Sequence, residues 1–182
     1  FVMVCLSQLF AELIHPSNGS ELNYIHVLFR WEADNNAISY EFELSTNEDF
    51  TSGLINNTVT DTILLVKEHI DWQSTYYWRI RPVDGEWFEV YSFTSKQPSY
   101  IFSEDITELE ILNYNSNSTF EGITIYGVMS PFYSAAIDME GNEVWNSGGI
   151  DTYLFLNINN NHEFTGNFVP SGIREYGTEF TL

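Results

Sequence analysis

The segment that decides the fold reads Thr75-Tyr76-Tyr77-Trp78-Arg79-Ile80-Arg81-Pro82. From Tyr76 onward, large apolar residues alternate with residues that have a polar end. A period of two is typical of a β-strand that has one face in the core and the other in solvent. The pattern predicts that Tyr76, Trp78 and Ile80 are buried and that Arg79 and Arg81 face outward.

The same alternation occurs twice earlier in the chain. The two runs are Val27-Leu28-Phe29-Arg30-Trp31 and Tyr40-Glu41-Phe42-Glu43-Leu44. Turn-forming clusters separate the runs, and they are Asp34-Asn35-Asn36, Asn47-Glu48-Asp49 and Asp84-Gly85. Helical periodicity is hard to find anywhere in the chain. The sequence therefore predicts an all-β fold class built from short antiparallel strands.

Charged residues occupy the outward positions of two of these runs. If the two strands are neighbours, Glu41 and Glu43 face Arg79 and Arg81 as cross-strand pairs of opposite charge. We expect these pairs to be exposed, and an exposed pair is worth roughly 0.2 to 1 kcal/mol.

The stretch from about Leu13 to Lys96 resembles a fibronectin type III domain of bacterial surface and secreted proteins. The residues that carry the resemblance are His15-Pro16-Ser17-Asn18-Gly19 as the opening turn, Phe29-Arg30-Trp31, Ile38 to Asn47 with Phe50, Thr75 to Val83, and Ser92-Phe93. The resemblance implies a two-sheet sandwich. It also implies a tyrosine corner, in which the hydroxyl of Tyr76 bonds to backbone near Ile70.

The second half resembles the start of the β-propeller of bacterial arylsulfotransferases. The carrying residues are Ala136-Ile137-Asp138-x-x-Gly141-x-x-x-Trp145, Leu154-Phe155-Leu156 with the Asn159 to Asn161 turn, and Ile173-Arg174-Glu175-Tyr176-x-x-Glu179. We expect a hairpin at Asp138 to Trp145, with Gly141 where the chain needs a positive φ. Ile137 and Gly141 recur at equal spacing as Ile173 and Gly177, which suggests one blade-like period.

These resemblances divide the chain into four parts. We expect residues 1–11 to be the remnant of a signal peptide, 12–97 a fibronectin type III-like β-sandwich, 98–122 a linker with connecting strands, and 123–182 a truncated arylsulfotransferase-like β-propeller start. The apolar residues 1–11 are too short to span a bilayer, and a buried first strand is the alternative interpretation. The only cysteine, Cys5, lies in that segment, so a mature product would have no disulfide.

Composition limits the partners. The 182 residues contain six Lys and Arg against 26 Asp and Glu, which gives a formal net charge of −20. Such a surface repels phosphate backbones and anionic lipids, so we expect neither nucleic acid binding nor membrane insertion. The expected location is extracellular, at the cell surface or periplasmic.

The arylsulfotransferase resemblance implies sulfuryl transfer from a phenolic sulfate ester to a phenol, with the sulfate carried on a channel histidine. The four histidines here are His15, His26, His69 and His162. The first three lie in the sandwich region. His162 lies in an expected turn without a base or orienting partner nearby, so it is interpreted as an exposed or capping side chain. We predict no catalytic, cofactor-binding or metal-binding residue and no cofactor.

Two functions follow from these patterns. In the first, the chain is the N-terminal, accessory part of an exported arylsulfotransferase-like enzyme, and its partner is the remainder of its own propeller. In the second, it is a non-catalytic binding or adhesion protein that recognises glycans or surface proteins through exposed aromatic residues. The candidates for this contact are Trp72, Trp87 and Phe88.

Overall fold

The computed structural model describes residues 12–99, 115, 118, 122–127, 134–147, 152–158, 164–169 and 175–180. These ranges contain 14 β-strands and no α-helix, which confirms the all-β fold class. Accordingly, none of the described residues forms a helix long and apolar enough to cross a bilayer. The expected signal-peptide remnant at 1–11, Cys5 and His162 with its Asn159 to Asn161 turn lie outside the described residues.

The described residues form two compact units. The first contains residues 12–22 and 26–95, and the second contains residues 23–25 together with the residues from 96 onward. The short segment Asn23–Ile25 therefore belongs to the second unit, although residues of the first unit flank it on both sides. No hydrophobic pattern in the sequence marks this segment.

The first unit contains eight strands in two sheets. They are β1 (Leu13–His15), β2 (Ser20–Leu22), β3 (Val27–Trp31), β4 (Tyr40–Ser45), β5 (Ile55–Val59), β6 (Ile63–Val66), β7 (Thr75–Pro82) and β8 (Tyr91–Ser95). One sheet has the strand order β1-β3-β6 and the other has the order β2-β8-β7-β4-β5. The pairing is antiparallel except between β2 and β8, which run parallel.

The predicted inward faces form the core of this unit. The inward residues of β3, β4 and β7 are all at most 3% exposed; they are Val27, Phe29, Trp31, Tyr40, Phe42, Leu44, Tyr76, Trp78 and Ile80. The ring of Phe29 lies 4.8 Å from that of Phe42 and 5.1 Å from that of Trp78, both edge-on. Edge-to-face pairs of this kind stabilise a core by about 0.5 to 1.5 kcal/mol beyond the area they bury.

The predicted tyrosine corner is present. The backbone N–H of Asp71 donates to the hydroxyl of Tyr76 at 2.8 Å. Ile70, just before the donor, is 4% exposed. The buried phenol therefore reaches the loop before β7 and fixes where that strand begins.

The second unit contains six strands. They are β9 (Thr124–Gly127), β10 (Ser134–Ile137), β11 (Glu143–Asn146), β12 (Thr152–Ile158), β13 (Phe164–Val169) and β14 (Glu175–Phe180). β9, β10 and β11 form one antiparallel meander, and β12, β13 and β14 form another. The connections within each meander are five or six residues long, which is too short for the crossover that parallel neighbours need, so the paired strands run antiparallel.

The first meander gains a fourth position from a distant part of the chain. Tyr24 forms an antiparallel bridge with Trp145 of β11. On either side of the bridge, the N–H of Ile25 donates to the carbonyl of Val144 at 2.9 Å, and the N–H of Asn146 donates to the carbonyl of Asn23 at 3.0 Å. The segment Asn23–Ile25 thus extends this sheet beyond β11.

The hairpin between β10 and β11 forms as predicted. Gly141 has a φ of 87°, the left-handed region that glycine adopts without strain. One carboxylate oxygen of Asp138 accepts the N–H groups of Glu140 and Asn142 at 3.0 and 2.8 Å. This Asx-type turn explains why the motif has Asp three residues before Gly.

The suggested repeat at Gly177 is wrong in its structural detail. Gly141 lies in the turn between two strands, whereas Gly177 lies within β14. The pairing of β13 with β14 shifts register at Gly166 and Asn167, close to this glycine. A glycine in a strand often accompanies such an irregularity, so equal spacing in the sequence did not mean equivalent positions.

Candidate functional site

The described histidines lie on separate elements. His15 lies on β1, His26 precedes β3, and His69 is exposed in the loop before β7, with Nε2 3.8 Å from a carboxylate oxygen of Glu68. Burial, aided by the nearby Arg30, lowers the pKa of His15. Among the described residues, no group of three or more His, Cys, Asp or Glu could hold a metal ion.

The aromatic residues proposed as an exposed contact surface do not form one. Phe88 is only 7% exposed, and its N–H donates to the carbonyl of Ile80 at 2.8 Å. Its burial corrects the expectation, because the loop after β7 folds back onto the sheet. Trp72 and Trp87 are half-buried.

A depression of about 290 Å³ lies on the outer surface of the five-stranded sheet, at its β5 edge. Its lining residues come from β4, β5, β7 and the loop after β7; they are Glu41, Phe42, Glu43, Asn56, Asn57, Thr58, Arg81 and Trp87. The volume lies just under the lower end of the range of about 300 to 1,000 Å³ that is usual for small-molecule pockets. We call this feature the β5 depression.

Strand register explains why these side chains meet. Across β5, β4 and β7, Thr58 is opposite Glu41, and Glu41 is opposite Arg81. In the next row of the same face, Asn56 is opposite Glu43, and Glu43 is opposite Arg79. Residues directly opposite each other share a face of the sheet, so the two rows lie side by side.

The predicted ion pairs form, but they are more buried than expected. Nε of Arg79 donates to Oε2 of Glu43 at 2.8 Å, and Nη2 lies 2.6 Å from the same oxygen. Arg81 pairs through Nε with Oε2 of Glu41. The side chains of Arg79 and Glu43 are only 23% and 17% exposed, so they are not the freely solvated pair that strand alternation predicted.

Two aromatic rings cover the arginines. Cζ of Arg79 lies 4.0 Å from the centre of the Phe50 ring and 4.2 Å from that of Trp87. Cζ of Arg81 lies 4.4 Å from the centre of the Trp87 ring. Guanidinium groups at this distance are attracted by the ring quadrupole. Phe50 and Trp87 belong to loops, and alternation within strands gave no sign of their position.

Several polar groups at the β5 depression have unused hydrogen-bonding capacity. Each ion pair uses Oε2 of its glutamate, and Oε1 of Glu41 and of Glu43 accepts no hydrogen bond within the part of the chain that the structure describes. In the same ranges, the side chains of Asn56, Asn57 and Thr58 make none either. Asn57 lies opposite the core residue Phe42, so its side chain is on the other face of the sheet. The depression therefore offers two carboxylate acceptors, the amide of Asn56 and the hydroxyl of Thr58.

The second unit contains a buried polar cluster around Glu143, which is 6% exposed. Its Oε1 accepts the N–H of Ser99 at 2.7 Å and Nδ2 of Asn146 at 2.8 Å, and its Oε2 accepts the hydroxyl of Ser99. Burial raises the pKa of Glu143, and these hydrogen bonds oppose the rise. Burial and the charge of Glu143 raise the pKa of Tyr126 to about 12.

The surroundings of Glu143 indicate a structural role. Ser99 and Asn146 are each 1% exposed, so the carboxylate faces other buried groups of its own unit. A buried carboxylate needs such donors, because leaving it unpaired costs several kcal/mol. The β5 depression is therefore the better candidate for a functional site.

Comparison with known proteins adds no family to this picture. No protein-family model matches the chain, and no curated protein matches it.

Proposed function

We propose that this chain supplies the accessory sandwich and the opening sheets of an exported arylsulfotransferase-like protein. In this proposal the sandwich is fibronectin type III-like. The strand orders β1-β3-β6 and β2-β8-β7-β4-β5 support it, because sandwiches of the immunoglobulin and fibronectin type place the first, second and fifth main strands in one sheet. The bond from Asp71 to the hydroxyl of Tyr76 supports it as well.

The observation that carries the proposal is the four-position sheet in the second unit. A propeller blade is a four-stranded antiparallel meander. β9, β10 and β11 supply three positions, and Asn23–Ile25 pairs beyond β11 as the fourth. The meander of β12, β13 and β14 comes next in the chain, as the following blade would.

The reaction proposed for the whole protein moves a sulfuryl group from a phenolic sulfate ester to a phenol. The donor's ester S–O bond breaks and releases a phenolate as an S–N bond forms to a carrier histidine. That S–N bond then breaks as a new S–O bond forms to the acceptor oxygen, and the acceptor's proton ends on the released phenolate. A histidine of the propeller outside this chain would carry the group between the two phenols. The residues of this chain act as scaffold and receive no catalytic role.

The test uses the full-length protein with 4-nitrophenyl sulfate as donor and phenol as acceptor. We expect release of 4-nitrophenolate in step with formation of phenyl sulfate. Replacing one propeller histidine outside these residues should abolish both signals, and His69→Ala in the exposed sandwich loop should leave them unchanged. Absence of transfer by the folded full-length protein would contradict the proposal.

A second candidate is a non-catalytic binding protein of the cell surface or extracellular space. The β5 depression favours it, because the carboxylates, amide and hydroxyl that line this site can form hydrogen bonds with the hydroxyl groups of a glycan. This function predicts saturable binding to surface glycans without chemical change in the ligand. Binding of the purified protein to glycan-coated surfaces, with mass spectrometry of the recovered glycan, would separate it from the first candidate.

A further inference from the structure

The free polar groups of the β5 depression are of the kinds that recognise hydroxyl groups. Oε1 of Glu41 and Oε1 of Glu43 can accept hydrogen bonds, and the amide of Asn56 and the hydroxyl of Thr58 can both donate and accept. A ligand with several neighbouring hydroxyls satisfies such a set, since each hydroxyl is both a donor and an acceptor. A purely apolar ligand would bury these groups without hydrogen-bonding partners, which disfavours its binding.

The charge at the depression selects a neutral ligand. Glu41 and Glu43 carry two negative charges, and Arg81 and Arg79 pair with them at short range. The site is therefore locally balanced in a chain whose formal net charge is −20. A metal cation would compete with the two guanidinium groups for the carboxylates, and an anion would meet the carboxylates themselves.

The site is also held in shape before a ligand arrives. The ion pairs fix the orientation of both glutamates, so the free oxygen of each has a set direction. Trp87 lines the depression and contacts both guanidinium groups at 4.2 and 4.4 Å. Fixed polar groups and a rigid aromatic wall lower the entropy cost of binding.

We propose that the β5 depression binds one neutral sugar ring, either free or at the end of a glycan. The volume of about 290 Å³ admits a single ring and not an extended chain. Oε1 of Glu41 and Oε1 of Glu43 accept hydrogen bonds from hydroxyls of the sugar. Asn56 and Thr58 contact the sugar ring on the β5 side of the depression, and Trp87 contacts it on the opposite side. The inference deepens the second candidate function and rests on it, and it is independent of sulfuryl transfer.

The test is a titration of the intact 182-residue chain, followed by ¹H–¹⁵N NMR and by tryptophan fluorescence. The probes are glucose, galactose, mannose and N-acetylglucosamine, with glucuronate and CaCl₂ as charged comparisons. We expect one of the neutral sugars to saturate, with a Kd on the order of 1 mM for such a small contact area. The shifted amides should lie in β4, β5 and the loop around Trp87.

Matched variants locate the site. Asn56→Ala and Thr58→Ala remove exposed side chains without internal hydrogen bonds, so both proteins should fold. Each should weaken sugar binding about fivefold or more, the loss expected for one hydrogen bond. Asn35→Ala changes an exposed turn residue away from the depression and should leave the Kd unchanged.

Each other outcome overturns the inference in a different way. Saturation that neither Asn56→Ala nor Thr58→Ala weakens would move the sugar site elsewhere and leave the second candidate function standing. Saturation by Ca²⁺ or glucuronate alone would replace the neutral ligand by a charged one. If no sugar saturates, the inference fails, and the glycan-surface assay decides separately whether the second candidate function fails with it.

Discussion

Tyr76 shows how one side chain serves two purposes at the residue scale. Its ring is 3% exposed in the sandwich core, stacked on Phe93 at 5.4 Å, while its hydroxyl accepts the N–H of Asp71 at 2.8 Å. Its neighbour Tyr77 faces the other side of the sheet, and its hydroxyl makes no hydrogen bond within the described residues. The two adjacent tyrosines therefore separate the contribution of the hydroxyl from that of the ring.

We predict that Tyr76→Phe lowers the free energy of unfolding of the sandwich by about 0.5 to 1.5 kcal/mol, because the N–H of Asp71 loses its acceptor. Urea unfolding followed by fluorescence of the core tryptophans measures this. Tyr77→Phe is the control and should change the value by less than about 0.5 kcal/mol. Equal losses in the two variants would refute a role for the corner hydrogen bond.

Glu143 gives a pH prediction for the second unit. Because burial holds the pKa of Glu143 above the usual value for a glutamate, the folded unit binds more protons than the unfolded chain at pH values between the usual and the raised pKa. Stability should therefore fall with rising pH through the raised pKa and then level off. Glu143→Gln, which has no titrating group, should remove this part of the pH dependence.

Hydrogen–deuterium exchange of the amides in β10 and β11 measures how the stability of the second unit depends on pH, with variant and parent compared at each pH. Glu140→Gln on the same hairpin is the control, since its side chain is exposed. We expect the parent to lose protection relative to Glu143→Gln as the pH rises. If its β10 and β11 amides gain protection between pH 4.5 and neutrality instead, the prediction is wrong.

At the scale of elements, local sequence patterns predicted the buried strand faces and one turn, but they did not predict contacts between residues far apart in the sequence. Alternation in β3, β4 and β7 predicted the buried faces, and the Asp138 to Gly141 turn was readable because its chemistry lies within a few residues. The covering of Arg79 by Phe50 and Trp87 was not readable, because both rings come from loops whose path depends on the packed sheets. The β5 depression was missed for the same reason: Asn56 and Thr58 join Glu43 and Glu41 only through the strand register.

The aromatic cover gives Arg79 a role that lysine cannot fill. We predict that Arg79→Lys lowers the free energy of unfolding by about 1 to 2 kcal/mol, because lysine keeps the charge but loses one of the two contacts to Glu43 and the stacking on two rings. Arg30→Lys, at an exposed position of β3, should stay within about 0.5 kcal/mol of the parent. Chemical unfolding of the three proteins in parallel makes the comparison, and similar small changes for both would show that the rings contribute nothing.

At the scale of the whole molecule, the chain leaves one unit and returns to it. β2 ends at Leu22, Asn23–Ile25 joins the sheet of the second unit, and β3 begins at Val27. The bridge depends on the backbone N–H of Ile25, which donates to Val144 at 2.9 Å. A substitution at Ile25, which lies in the chain between β2 and β3 of the sandwich, should therefore destabilise the second unit.

We predict that Ile25→Pro, which removes this donor, speeds hydrogen–deuterium exchange in β11 about fivefold or more and leaves exchange in β7 unchanged. Ile25→Ala keeps the N–H and should leave both elements close to the parent. Faster exchange confined to β7 in the proline variant would contradict the assignment of Asn23–Ile25 to the second unit.

The pairing of Asn23–Ile25 with β11 also sets an order of events during synthesis. Asn23 and Asn146, joined by a hydrogen bond from Nδ2 of Asn23 to the carbonyl of Asn146, are 123 residues apart. At a translation rate of about 5 to 20 residues per second, Asn23 leaves the ribosome roughly 6 to 25 s before its partner. The sandwich is complete in sequence at Ser95, which precedes Asn146 by roughly 2.5 to 10 s at the same rate. That is time enough for it to fold, since small β domains fold in milliseconds to seconds. Asn23–Ile25 would then be a template, already synthesised, on which the first sheet of the second unit is completed as it emerges.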